Sequence, residues 1–183
     1  MKILVASDIH GSAFYMEKLL DRINEENPER ILLLGDILYH GPRNALPGEY
    51  DPKKVISILN PLKDRIMCVR GNCDTEVDQM VLDFPILADY IMINVENRLI
   101  YATHGHIYNA KNMLPCAKGS ILLHGHTHVP KCEVYEDFIY MNPGSVSIPK
   151  EDSAHSYMII DGKNVVWRNV CDGNETGMEY TLN

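Results

Sequence analysis

Seven side chains in this sequence have the chemistry and the placing to hold metal ions. Apolar runs end, one after another, in potential ligands. Residues 2–7 lead to Asp8-Ile9-His10, 31–35 to Asp36, 66–71 to Asn72, 99–103 to His104, and 120–125 to His126-Thr127-His128. The set is two carboxylates, one amide and four imidazoles, and it needs no thiolate. This mixture suits Mn2+, Fe or Zn2+ better than Ca2+ or Mg2+, which favour oxygen donors. Seven donors are too many for one tetrahedral ion. They suit two ions bridged by one carboxylate and one water. Metal pairs about 3.5–4 Å apart recur where both the attacking and the leaving oxygen of a displacement at phosphorus need stabilising.

The elements follow from what must carry these residues. Ligands in α/β sheets bind beyond the carboxyl ends of strands. The apolar runs are therefore read as strands with converging ends. Gly35, Gly71 and Gly125 stand immediately before Asp36, Asn72 and His126, where a glycine permits a sharp turn and close backbone approach. Between the first three strands (2–6, 31–34 and 66–69) lie two helices. Ser12 caps the first, whose apolar face is Met16, Leu19, Leu20 and Ile23, with Pro28 just past its end. Asp51-Pro52 starts the second, with Val55, Ile58, Leu59 and Leu62 at helical spacing. The β-α-β-α-β order implies parallel strands. The second half is strand-rich. Runs at 90–95 and 99–103 flank a hairpin turn at Glu96-Asn97-Arg98, and further strands span 120–123, 131–135, 138–141, 157–160 and 165–170. This content predicts two sheets packed face to face with helices outside, rather than one open sheet.

Composition narrows the function classes. The chain has 183 residues, 17 Lys and Arg against 25 Asp and Glu, and a net charge of −8. The length fits one domain, 1–183. The negative balance opposes binding of a nucleic-acid polymer, which usually meets a basic face. A small phosphate substrate is compatible with it if metal ions supply local positive charge. No apolar stretch reaches the roughly 20 residues of a membrane span, so no membrane partner is expected. The start at Met1 reads as the beginning of the mature fold, with no signal peptide. Cys68, Cys73, Cys116, Cys132 and Cys171 are odd in number and scattered, which fits reduced thiols and a cytoplasmic location.

The motifs Asp8-Ile9-His10, Gly35-Asp36, Gly71-Asn72-Cys73-Asp74, Thr103-His104-Gly105-His106 and Gly125-His126-Thr127-His128 resemble, in order and spacing, the calcineurin-like metallophosphoesterases. With the stretches 40–47, 69–74 and 142–149, the chain is similar to the small bacterial YfcE-type phosphodiesterases, from residue 1 to about 170. The resemblance implies an α/β fold, a four-layer α/β/β/α sandwich of two mixed sheets flanked by helices. It implies one metal on Asp8, His10, Asp36 and His128, and another on Asp36, Asn72, His104 and His126, with Asp36 bridging. It implies hydrolysis of a P–O ester bond in a small phosphodiester by a hydroxide bridging two metal ions. Mn2+ is the first choice, with Zn2+, Fe or Ni2+ as alternatives. Similar small relatives form dimers or tetramers, so a homo-oligomer is expected.

Other residues are read around that site. Arg43 or Arg70 supplies an added positive contact. Many relatives carry His where this chain has Cys73, which leaves the general acid open among His106, His40 and a metal-bound water, or leaves none required, as for an activated aryl leaving group. The candidate catalytic residues are therefore His106, Arg43 and Cys73, although Cys73 reads better as a small loop side chain than as a nucleophile. Asp74 either caps the next segment or holds the Asn72 amide. His106 and His124 also fit core or supporting roles, and His40 fits a structural one. The Asn142–Ser145 stretch is a turn near the site. Met67, Met80, Met92 and Met158 are read as core, Trp167 as packing or subunit contact, and His155 as surface. A non-catalytic metal-binding scaffold of the same fold is the competing reading, and none of the seven ligands is missing.

Overall fold

A computed structural model describes residues 1–182. Eleven strands and three helices follow in order: β1 (Lys2–Ala6), α1 (Ala13–Glu26), β2 (Arg30–Leu33), α2 (Pro52–Leu59), β3 (Ile66–Cys68), α3 (Glu76–Gln79), β4 (Tyr90–Val95), β5 (Arg98–Thr103), β6 (Ser120–His124), β7 (Lys131–Val134), β8 (Phe138–Asn142), β9 (Ser156–Asp161), β10 (Asn164–Asn169) and β11 (Glu175–Thr181). A 3₁₀ turn, Asn60–Arg65, joins α2 to β3.

The helix ends obey local chemistry. The Ser12 hydroxyl accepts the Tyr15 N–H at 3.4 Å and donates to the Gly48 carbonyl at 2.6 Å. Asn27 ends α1 in the left-handed region, φ 42°, which Asn tolerates better than most residues. Asp51 accepts the Lys54 N–H at 3.1 Å, and Pro52 takes the first helical position. Ala13, Met16, Leu19 and Ile23 are the buried face of α1, while Leu20 is only partly covered.

The strands form two mixed sheets, in the orders β11-β10-β9-β1-β2-β3 and β4-β5-β6-β8-β7. β1, β2 and β3 run parallel, as the alternation with helices implied. β5, β6 and β8 are parallel in the second sheet, with antiparallel β4 and β7 at its edges. Side-chain alternation then divides the core. Leu4, Ala6, Ile31 and Leu33 pack with α1 and α2 on one face of the first sheet. Ile3, Val5 and Leu32 face Ile100, Ala102, Ile121, Leu123 and Met141 of the second sheet. Helices are thus concentrated outside the six-stranded sheet, and α3 is a four-residue turn with no buried residue. Trp167 lies fully buried between the sheets and donates its indole N–H to the Asn142 carbonyl at 2.6 Å, so its role is packing.

Several sequence readings need correction. Met80 and Met92 are 83% and 51% exposed, not core. Met92 pairs with Tyr101 on β4, an edge strand, and points away from the first sheet. His155 is half-buried, stacked on Tyr15 at 3.9 Å with its Nδ1 on the Val146 carbonyl. The β4–β5 turn is two residues, Glu96 and Asn97, both with positive φ as in a type I′ hairpin. Replacement of Leu123, wholly buried between the sheets, by Ala should cost about 2–5 kcal/mol. Urea unfolding is expected to show a lower midpoint with an unchanged slope.

Candidate metal centre

The loops leaving β1, β2, β3, β5 and β6 meet at one end of the sandwich, and their backbones are unusual there. Asp8, His10, Asp36, His126 and His128 all have positive φ, between 50° and 64°. The left-handed region costs a non-glycine residue about 1–2 kcal/mol. Such conformations gather at functional sites because the surrounding structure enforces them. Close approach explains the preceding glycines. A Cβ on Gly71 would stand 2.1 Å from Asp36 Oδ1, and one on Gly125 would stand 1.9 Å from Ser7 Oγ and 2.7 Å from Asp8 Oδ2.

The seven predicted ligands converge in two overlapping groups. In the first, Asp8 Oδ1 lies 3.7 Å from His10 Nε2 and 3.4 Å from His128 Nε2, and the two imidazole nitrogens are 3.4 Å apart. In the second, His104 Nε2 lies 3.1 Å from Asn72 Oδ1 and 3.1 Å from His126 Nδ1. Asp36 Oδ2 belongs to both, 3.6 Å from His10 Nε2 and 3.5 Å from His104 Nε2. Donors about 2.0–2.2 Å from a shared tetrahedral ion stand about 3.3–3.6 Å apart. The spacing therefore fits two cations sharing one carboxylate oxygen.

Two further observations fit a cation. Asp8 is wholly buried, its Oδ2 accepts the His126 N–H at 3.0 Å, and its Oδ1 has no hydrogen-bond partner. A buried carboxylate oxygen left bare is costly unless a positive charge faces it. The histidines are also oriented from behind. Nδ1–H of His10, His104 and His128 donates to the carbonyls of Tyr39, Leu34 and Ile148 at 2.8, 2.6 and 2.6 Å, which aims each Nε2 atom into the site.

Asp74 has a wider task than the sequence indicated. Its carboxylate accepts the N–H groups of Asp36, Ile37 and Gly71 at 2.8, 2.9 and 2.7 Å, and none from Asn72. It clamps the β2 and β3 exits together. Asp36 Oδ1 in turn accepts the Cys73 N–H at 2.8 Å. The 142–147 turn is likewise part of the frame. Asn142 Nδ2 donates to the Gly125 carbonyl and to Thr127 Oγ1 at 2.9 and 3.0 Å, and the hydroxyls of Ser145 and Ser147 reach the Asp8 carbonyl at 2.9 and 3.1 Å.

Charge is partitioned among the imidazoles. Burial disfavours a charged His104, but its hydrogen bond to Asp36 and the charges of Asp8 and Asp36 prevail and raise it to about 9. Asp36 is correspondingly held well below the carboxylate range: burial opposes this, and His104 outweighs it. Burial, then the His104 charge, brings His126 down to about 4. Burial also lowers His128, with Lys150 contributing.

The remaining candidates separate by position. A cleft of about 400 Å³ opens over the donors, lined by Asp36, Arg43, Asn72, Cys73, His126 and Lys150 among others. Arg43 faces it; Arg70 is engaged elsewhere, its Nε on the Asp74 carbonyl at 3.2 Å and its Nη2 3.5 Å from Glu76. Cys73 Sγ forms a compact group with His10 and Asp36. Burial and then Asp36 push this thiol up to about 12, so it stays protonated. His106 flanks the second group, its ring 5.3 Å from that of His104 and 6.2 Å from that of His126. His40 packs between Tyr39 and Tyr50, away from the cleft lining. His124 stacks on Tyr140 at 4.3 Å within the second sheet. Lys150 escaped the sequence reading; the only signal was a cation at the end of the Asn142-Pro143 loop.

Metal binding should therefore expel a proton. With His104 at about 9 against an ordinary value of 6.5, the metal-free chain carries that proton at neutral pH. Affinity for Mn2+ or Zn2+ is expected to rise with pH until it levels near that value, with about one proton released at pH 7.5. Calorimetry in buffers of different ionisation enthalpy measures this. In the metal-free chain the His104–Asp36 pair stabilises fully below about pH 6.5 and fades as pH rises through the raised value. Asp74→Ala should weaken metal affinity by about 10–100-fold, because it strands three N–H groups behind Asp36.

Known proteins resemble this chain along most of its length. Residues 1–164 match the family model described as the calcineurin-like phosphoesterase superfamily domain. The phosphodiesterase YfcE of Escherichia coli strain K12 is 44% identical over 161 residues, 88% of each chain. A solved structure of that E. coli phosphoesterase superposes with a TM-score of 0.96 at 39% identity, covering 100% of both chains. Vps29 from Entamoeba histolytica, complexed with Zn2+, shares the fold with a TM-score of 0.61 at 20% identity, again covering 100% of both chains. With a family model spanning most of its length and a close relative aligned over nearly all of it, the chain belongs to the calcineurin-like phosphoesterase superfamily.

Proposed function

We propose that this chain is a metal-dependent phosphodiesterase that hydrolyses a P–O ester bond of a small phosphodiester. The observation that carries this reading is the meeting of seven donor side chains in two groups that share Asp36 Oδ2. Asp8, His10, Asp36 and His128 would hold one divalent ion, and Asp36, Asn72, His104 and His126 the other. Such a pair supplies Lewis-acid polarisation of the phosphoryl group and acidification of water when bound.

The chain's own residues do the rest. Asn72 donates through a neutral oxygen and adds no charge to that of the two carboxylates. Arg43, on the cleft wall, neutralises a non-bridging phosphate oxygen as charge develops. Cys73, protonated and packed against Asn72 Nδ2 at 3.2 Å, shapes the floor and is not a nucleophile. His106 is the candidate for the proton passed to the leaving group, because its ring stands beside those of His104 and His126. The mixed nitrogen and oxygen donors favour Mn2+, with Zn2+, Fe or Ni2+ as substitutes. The chain, 1–183, is one domain, a reading supported over the described residues 1–182 by the apolar cluster that both sheets share. A cytoplasmic location is supported by five unpaired cysteines. A dimer or tetramer is supported by the exposed Tyr90 and Met92 on the β4 edge. The full donor set favours catalysis over a scaffold.

Folded protein supplied with Mn2+ is expected to hydrolyse bis-p-nitrophenyl phosphate, with Zn2+, Ni2+ and Mg2+ assayed in parallel. Asp36→Ala or His128→Ala should lower turnover by about a hundredfold or more, beyond what supporting residues cost, while circular dichroism stays native. Lack of turnover with every divalent metal would remove the proposal.

A further inference from the structure

Lys150 lines the same cleft as the donor groups, and no step above uses it. Its backbone is fixed to a candidate ligand. The Lys150 N–H donates to the His128 carbonyl at 3.1 Å, and two residues earlier the Ile148 carbonyl accepts the His128 Nδ1–H at 2.6 Å. The chain then reverses at once. Ser153 N–H and Oγ both bind the Lys150 carbonyl, at 3.1 and 2.7 Å, across Glu151 and Asp152 with φ of 56° and 55°. Two positive φ values at the centre of a turn suit Asn and Gly. Glu-Asp there is a strained choice, and it holds the lysine at the rim. The Lys150 side chain is exposed and makes no ion pair among the described residues, although acidic residues outnumber basic ones in this chain.

The charges of the proposed reaction are complete without it. Two divalent cations among the carboxylates of Asp8 and Asp36 leave two positive charges. A hydroxide and the single negative charge of a phosphodiester offset these, and Arg43 is available as charge develops. An unpaired ammonium then has an anion to meet that is not the scissile phosphate. The cleft has room for one. Its volume of about 400 Å³ lies in the range of sites that take whole small ligands.

We propose that Lys150 forms a second anionic subsite, and that the favoured substrates are phosphodiesters carrying a further phosphate group, as a phosphorylated nucleotide ester does. This rests on the phosphodiesterase reading and narrows its substrate class.

A matched pair of chromogenic substrates tests it: thymidine 5′-(p-nitrophenyl phosphate) and the same ester phosphorylated on its 3′ oxygen, each assayed with Mn2+. Wild-type kcat/KM should be about fivefold higher for the phosphorylated ester, the size of one partly exposed ion pair. Lys150→Gln should bring that ratio close to one through KM, and Lys150→Arg should keep it. The backbone bond to His128 survives both changes. Arg43→Gln should lower both substrates alike. A wild-type ratio of one or less, with the plain ester turned over, would overturn the subsite and leave the phosphodiesterase reading intact. So would a Lys150→Gln variant that loses both substrates equally. Failure to hydrolyse either ester would instead overturn the phosphodiesterase reading, and the subsite with it.

Discussion

The structure is organised around one carboxylate oxygen. Asp36 Oδ2 stands between His10 and His104, 3.6 and 3.5 Å from their Nε2 atoms, in a buried setting. A buried anion needs compensating charge. In the metal-free chain a protonated His104 provides it, and the same geometry lets a cation replace the proton. Everything near Asp36 constrains that oxygen. Asp74 holds its backbone, Cys73 N–H occupies its other oxygen, and Gly71 makes room where any side chain would collide with it.

The frame concentrates backbone strain where the donors lie. Five of the seven donors adopt left-handed conformations, which packing elsewhere must sustain. The sheets supply that packing through a shared apolar cluster. Buried polar bonds then transmit it: Asn142 to the 125–127 loop, Ser145 and Ser147 to Asp8, and Ile148 to His128. These bonds are local in space and distant in sequence, and they tie the donor loops to one another.

This division also explains what could be read from residues alone. The ligands were legible because each ends an apolar run, and a polar residue at a strand exit is conspicuous. Caps at Ser12 and Asp51 were legible because their chemistry is local. β11 was not, since Gly177 and its exposed charged positions disguise an edge strand. The reach of Asp74 was hidden for a different reason. Asn72 stands two positions before it in sequence, yet its partners Asp36 and Ile37 lie 38 and 37 positions away. Lys150 was hidden likewise, because its place depends on pairing with His128 across the fold. Met92 misled because an apolar residue on an edge strand reads the same facing inward or outward.

The order of donors along the chain has a bearing on synthesis. Asp8, His10, Asp36 and Asn72 precede β4, whereas His104, His126 and His128 follow it. A nascent polypeptide leaving the ribosome up to β4 owns both carboxylates and a single imidazole of the four. Neither set of ligands closes until β6 and the loop after it have emerged. The donor groups therefore stay incomplete until three strands of the second sheet have been made, and a product truncated before them lacks three of the four imidazoles.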